Sequence, residues 1–464
     1  MSANLAVQPI TVLAPALRDG SLSPVALAEA CLDRVRRLDD RLQSFICLAP
    51  DVLGAARQAE AEIRAGQWRG PLHGVPVAIK DNYLTRDMAT TAGTSAPGIQ
   101  FAMRDAAAVA RLRAAGAVLV GKTRTHEFAW GNVTPPTRNP WDLDRVPGGS
   151  SGGSGAAVAT GLCVAALGSD TGGSIRMPAS LCGTVGLKAT FGRISRDGVV
   201  PHSWSLDHAG PLTRTVGDAA LLLQALAGHD PRDPGAAHRA VPDYSAALGH
   251  GVAGLRIGVC RNHFFGRNEA DVEAAVERAI GDLARLGATV TEFAVPNLEY
   301  GLGAIFAIEL ASSTAYHDAS LRAGRTPHYQ PDVRTLVEIG RFVTGADYLK
   351  AEQFRRVLIG DFRRILADID VIAVPTMPLT AWKQDERSVT VGGGEESVLA
   401  ASWRLTYPFN LTGMPAISLP CGFDRRGLPI GLQIAGRPFD EVTVLRAADA
   451  YERAHEWWQR VPQL

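Results

Sequence analysis

The chain has 464 residues, 46% of them hydrophobic, enough to bury a large core. Its 47 basic and 47 acidic residues cancel to a formal net charge of +0. That balance supplies no bulk field to gather nucleic acid or an anionic membrane, so neither is expected as a partner.

The opening "MSANLAVQPITVLAPALRDG" has no basic start followed by a long apolar block, so no signal peptide is expected. No apolar run reaches the ~20 residues of a membrane-spanning helix. A cytoplasmic location is the expectation. Ser23 and Pro24 read as the cap and first turn of a helix over 23–39, with Leu27, Cys31, Val35 and Leu38 on one face. A second helix is expected around 51–65. "HGVPVAIKDN" (73–82) reads as a short apolar strand ending in polar residues. Residues 105–115 read as a helix, and "GAVLVGKT" (116–123) as a β-branched strand after a glycine stop. A helix of small residues is expected over 154–162, then a buried strand in "CVAALGSD" (163–170).

Residues 228–252, rich in Gly, Pro and His, read as a surface excursion rather than a linker. After them "LRIGVC", a helix carrying Val272, Val276, Ile280, Leu283 and Leu286, and "ATVTEF" form a βαβ unit. "DVIAVP", "PAISLPCGF" and "LPIGLQIAG" read as strands, and 440–457 as a closing helix. The alternation predicts one α/β domain over 1–464, a large mixed twisted sheet flanked by helices on both faces. The N-terminal helices (8–65) are expected to wrap the body or a second subunit, which would make a homodimer.

Six cysteines (Cys31, Cys47, Cys163, Cys182, Cys260, Cys421) form no CxxC pair. They suggest no zinc site or redox dithiol and read as small buried hydrophobes. Only five of the 47 basic residues are lysines: Lys80, Lys122, Lys188, Lys350 and Lys383.

The stretch "GGSSGGSGAAVATG" (148–161) holds six glycines and three serines. No lysine follows as a phosphate-binding P-loop requires. Gly153 and Gly155 begin a dinucleotide fingerprint, but Val158 stands at its last glycine. The apolar flanks argue against a flexible linker. Downstream, "GSDTGGSIRMPAS" (168–180) sets Thr171, Gly172 and Gly173 before Ser174. Paired glycines let a backbone approach a substrate closely, and their N–H groups can converge as an oxyanion hole. Ser174 is then a candidate nucleophile in need of a base. His126, His202 and His208 are candidates, but no GxSxG elbow surrounds any serine. Lys80, at the end of a buried strand, is the alternative, since burial favours its neutral amine.

Three separated segments, "HGVPVAIKDN", "PGGSSGGSGAAVA" (147–159) and "GSDTGGSIRMPASLCGTVGLK" (168–188), together resemble the amidase signature family. Ser150 and Ser174 stand 24 residues apart, as in that family. "SLDHAGPLTRTV" and "NLTGMPAISLPCGF" extend the resemblance to about 20–455, with a signature core over 70–215. The resemblance implies an amidase signature fold and a Ser–cisSer–Lys triad. Ser174 would be the nucleophile, and Ser150, on a cis Gly149–Ser150 peptide, would bridge it to Lys80. The N–H groups of Thr171, Gly172, Gly173 and Ser174 would form the oxyanion hole. Ser151 and Ser154 would pack and hydrogen-bond, Arg176 would buttress the loop, and Asp170 would hold backbone N–H groups. No metal or organic cofactor is implied.

The family includes stand-alone amidases, carbamate-cleaving enzymes and glutaminase subunits of tRNA-dependent amidotransferases. The last typically carry an acidic residue before a "PANLAG" segment, which holds the glutamine amino group. Here "ASWRLTYPFNLTG" (401–413) has none, with Trp403 or Arg404 near that position. A small-molecule amide or carbamate is therefore the expected substrate, with glutamine as the alternative. Arg124 stands where relatives commonly have Asn. Trp130, Met177, Trp204 and Trp403 are the candidates for lining an apolar pocket.

Overall fold

Eleven strands form one sheet in the computed structural model, which describes residues 2–464, with side chains from residue 5 onward. In chain order the strands are β1 (Phe45–Leu48), β2 (Pro76–Lys80), β3 (Val118–Thr123), β4 (Ala165–Asp170), β5 (Val185–Lys188), β6 (His208–Thr213), β7 (Arg256–Cys260), β8 (Thr289–Phe293) and β9 (Val371–Pro375). A separate hairpin, β10 (Ser388–Val391) and β11 (Gly394–Ser397), precedes β12 (Ala416–Phe423) and β13 (Pro429–Gly436). The sheet order is β1-β3-β2-β4-β6-β5-β12-β13-β9-β7-β8. β2 runs parallel to β3 and β4, and β7 to β8 and β9; the remaining pairs are antiparallel. The expected mixed sheet and the βαβ unit over 256–293 are both present.

Helices cover both faces, which is why the central strands β4, β5, β6 and β13 are buried at every position rather than at alternate ones. In β9, Val371 and Ala373 join the apolar cluster containing Val272, Val276 and Ile280 of helix Ala270–Arg285. Ile372 and Val374 point the other way, into a cluster with Ile305 and Ile308 of helix Gly301–Arg322 and Phe362 of helix Gly345–Asp368. Ser23 caps helix Pro24–Leu42 through the N–H groups of Val25 and Ala26, with Pro24 in the first turn, as expected.

Several elements depart from the sequence reading. The small-residue helix runs Gly152–Ala159, starting two residues early because Thr134 Oγ1 accepts from the Gly152 N–H. It ends before Gly161, whose φ is +66°. The closing helix is Glu441–His455. β6, "HAGPLT", has the Gly and Pro of a loop yet lies between β4 and β5 in mid-sheet. Residues 228–252 carry neither helix nor strand, and Arg196 pairs with Asp233 there at 2.9 Å.

The register of β2 on β4 positions the chemistry. Val77, Ala78 and Ile79 face Ala165, Ala166 and Leu167. Lys80 and Ser169 therefore emerge side by side at the carboxyl ends of two parallel strands, the end where open α/β sheets hold their ligands.

Candidate active site

Lys80 ends a strand buried along its whole length, and its own side chain is fully buried. Its Nζ donates to Ser150 Oγ and to Ser169 Oγ, each at 2.8 Å. Asn82 Nδ2 also donates to Ser169 Oγ, at 2.9 Å. Burial pushes the Lys80 ammonium down to about 7, with Asp170 and Asp207 opposing. A neutral amine is thereby available near neutral pH.

The glycine-rich stretch folds into the wall around this lysine. The Gly149–Ser150 peptide is cis. A side chain on Gly149 would meet the Val133 carbonyl oxygen at 2.3 Å, so only glycine fits there. Helix Gly152–Ala159 packs against β2 and β4. The Ser154 hydroxyl donates to the Leu167 carbonyl at 2.8 Å, and the Ser151 hydroxyl to that of Ser169 at 3.2 Å, so both serve the β4 backbone. Every residue of the stretch 148–161 is buried.

The second glycine cluster follows β4 directly. Gly172, Gly173 and Ser174 have their carbonyls occupied: Gly172 accepts from Thr406 Oγ1 at 2.5 Å, Gly173 from Met177 N–H at 2.7 Å, and Ser174 from Ser151 N–H at 3.3 Å. Their N–H groups have no hydrogen-bond partner among the described residues. Gly173 has φ +137°, and a side chain there would meet Thr406 Oγ1 at 2.4 Å. The backbone is thus pinned by its acceptors, with its donors left free.

Beneath the loop lies a fully buried ion pair. Arg176 donates from Nε and Nη2 to the two oxygens of Asp170, at 3.0 and 2.9 Å. Its remaining donors reach Asn410, Gln433 and the Thr406 carbonyl. The Asp170 carboxylate also accepts from the N–H groups of Ile175 and Arg176. Burial would raise its pKa, but Arg176 outweighs burial and holds it well below the usual range.

The structure brings Lys80 and Ser150 into contact and ties Ser174 to the same loop through the Ser151 N–H. The Ser174 hydroxyl itself makes no hydrogen bond among the described residues, and Ser174 is 4% exposed where Lys80 and Ser150 are closed off. The candidate histidines go elsewhere. His126 faces Asp332, and His208 contacts the Leu206 and Asp170 carbonyls. His202 lies edge-on to Trp130.

Of the candidate pocket residues, Trp130, Met177 and Trp403 are buried in one apolar cluster, with Met177 against Gly173 and Trp403 against Gly172. Trp204 is 61% exposed, with Arg196 5.5 Å from its ring. Its surface position separates it from the other three; the half-buried Phe306 stacks on Trp403 at 5.0 Å. The sequence reading passed over Ser169, which lies inside the "GSDTGGS" segment, and also Asn82 and Thr406. Thr406 had no local signal, being 234 residues from the carbonyl it holds.

A family model described as Amidase matches residues 26–445. The chain is 46% identical over 456 residues to an amidase of Pseudomonas putida, covering 97% of each. It is 42% identical over 480 residues to a glutamyl-tRNA(Gln) amidotransferase component of Moorella thermoacetica, again covering 97% of each. A crystal structure of an amidase superposes with a TM-score of 0.88 at 36% identity, over 96% of this chain and 99% of that one. Matches of this extent take in every segment of the site, and the chain belongs to the amidase signature family, hydrolases that act on amide C–N bonds.

Proposed function

We propose that this amidase hydrolyses a carboxylic amide or carbamate of a small molecule through an acyl-enzyme on Ser174. The observation that carries the reading is the 2.8 Å contact of a fully buried, readily neutral Lys80 with Ser150. Ser174 Oγ attacks the carbonyl carbon while its proton passes to Ser150 Oγ and the Ser150 proton passes to Lys80 Nζ. The free N–H groups beside Ser174 receive the developing oxyanion; one such donor is worth about 3–4 kcal/mol. The relay returns the proton to the leaving amine, and water then releases the acid. The buried Trp130, Met177 and Trp403 favour an apolar or aromatic substrate body.

The test is a panel on purified protein: L-glutamine, short aliphatic amides, anilides and an aryl carbamate, each with a Ser174→Ala control. Turnover of anilide or carbamate that Ser174→Ala abolishes supports the reading. A second reading, the glutaminase component of a tRNA-dependent amidotransferase, is favoured by the 42% identity to a protein of that kind. Glutamine turnover that needs partner subunits would establish it. Among the described residues no helix is long and apolar enough to cross a membrane. A cytoplasmic location is part of the proposal. A homodimer built on the N-terminal helices belongs to the same proposal.

A further inference from the structure

Three buried side chains beside the Gly172 loop carry polar atoms without partners, and the proton relay uses none of them. Glu309, on helix Gly301–Arg322, is fully buried, and neither of its carboxylate oxygens has a hydrogen bond. Its Oε1 lies 3.5 Å from the point where a side chain on Gly172 would begin. The Trp403 ring stands 3.6 Å from the same point, and its indole N–H is unpartnered. His202, 3% exposed, has both ring nitrogens unpartnered. Its Nε2 is 3.8 Å from Glu309 Oε2, beyond hydrogen-bond reach. Burial raises the Glu309 carboxyl above its usual range, against the opposing effect of His202.

A buried carboxylate without donors is costly, and such a group calls for a specific explanation. Asp170 takes donors from Arg176, Asn410 and two backbone N–H groups. Asp81, Asp218 and Glu441 each have one oxygen without a hydrogen bond but keep the other hydrogen-bonded, whereas Glu309 has neither bonded. Gly172 lies two residues before Ser174 in the chain, and Glu309 and Trp403 stand against the face that its missing side chain leaves bare. An acyl group whose carbonyl oxygen rested on the free N–H groups of 172–174 would place its neighbouring substituent near this face.

We propose that Glu309 determines specificity by receiving a cationic, N–H-donating group next to the scissile carbonyl, so that the preferred substrates are amides of amino-bearing acids. This rests on the hydrolase reading above. The positive group supplies the donors that Glu309 lacks, and Trp403 and Trp130 hold the apolar remainder.

The experiment compares L-leucinamide with 4-methylpentanamide, which differ only in the α-ammonium group. In the unsubstituted protein kcat/KM is expected to favour leucinamide by at least ~10-fold. Glu309→Gln is expected to bring the ratio close to one, chiefly by loss on leucinamide, while a fluorophosphonate probe still labels Ser174. Glu309→Asp, which keeps the charge on a shorter arm, should retain the preference with a higher KM, guarding against a folding defect in the first variant. A ratio near one in the unsubstituted protein overturns the proposal. So does an unchanged ratio in Glu309→Gln, or an equal loss on both amides. If neither amide is turned over and Ser174 is not labelled in the unsubstituted protein, the hydrolase reading fails, and this inference with it.

Discussion

Lys80 Nζ and Ser150 Oγ lie 2.8 Å apart with both side chains closed to solvent. Their geometry ties activity to the charge of one amine. Burial brings the Lys80 ammonium down from 10.5 to about 7. Only the neutral amine accepts a proton, so kcat/KM should rise about tenfold per pH unit below about 7 and level off above it. The same displacement acts on stability. Between about 7 and 10.5 the unfolded chain holds a proton that the folded one lacks, so stability should rise with pH across that window. Lys80→Met should abolish turnover and remove that part of the slope. A pH–rate profile and urea melts at several pH values check both; a flat acidic limb would contradict a lysine base.

The readable part of this site was the part carried by short segments. Lys80 ends an apolar strand, Ser150 lies in a glycine–serine run, and Ser174 follows paired glycines, each visible within about ten residues. The contacts that hold these segments in position were not visible. Thr406 and Gly172, or Glu309 and Gly172, meet only after the sheet has assembled across more than a hundred residues. β6 escaped notice for a related reason. Its Gly210 and Pro211 signal a turn locally, while pairing with β4 and β5 on either side makes it a strand. Trp204 misled in the opposite sense: a large aromatic near a site suggests a pocket wall, yet its ring lies at the surface with Arg196.

Thr406 is the outer brace of the oxyanion loop. Its hydroxyl donates to the Gly172 carbonyl at 2.5 Å and turns the neighbouring N–H groups toward the open side. Thr406→Ala removes that bond without touching Lys80, Ser150 or Ser174. Catalysis is sensitive to displacements of about 1 Å, which cost around 10²-fold. kcat should therefore fall by about 10²-fold with a much smaller change in KM, and Thr406→Ser should restore most of it. Steady-state kinetics on the best substrate of the panel decide this.

Asp170 and Arg176 are buried together, and each satisfies the other. Removing one partner strands a charge in the interior. Arg176→Met should cost about 3–5 kcal/mol of stability, as should Asp170→Asn to a lesser degree, since Asn keeps some acceptors. Because the two effects share one interaction, the double variant should lose less than the sum of the single losses. Urea denaturation of the four proteins measures the coupling; strict additivity would mean that the pair is energetically independent.

Two helical glycines, Gly153 and Gly281, differ in what surrounds them. Gly153 sits inside helix Gly152–Ala159, where a methyl group would lie 2.6 Å from the backbone N and O of Arg124 and from the Ser44 carbonyl. Backbone cannot swing aside as a side chain can, so the helix must move, and Ser150 is only two residues beyond its start. Gly153→Ala should destabilise by about 1–3 kcal/mol, the range for overpacking, and should lower activity through the displaced Ser150 loop. Gly281, inside helix Ala270–Arg285, is the contrast, since a methyl group there meets only Arg285 Nη1, at 3.7 Å. Gly281→Ala should leave activity unchanged and stabilise the fold by about 0.5–1 kcal/mol, the usual gain of alanine over glycine within a helix. Thermal melts and rates for the pair separate helix propensity, which favours alanine at both positions, from the close packing that forbids it at Gly153.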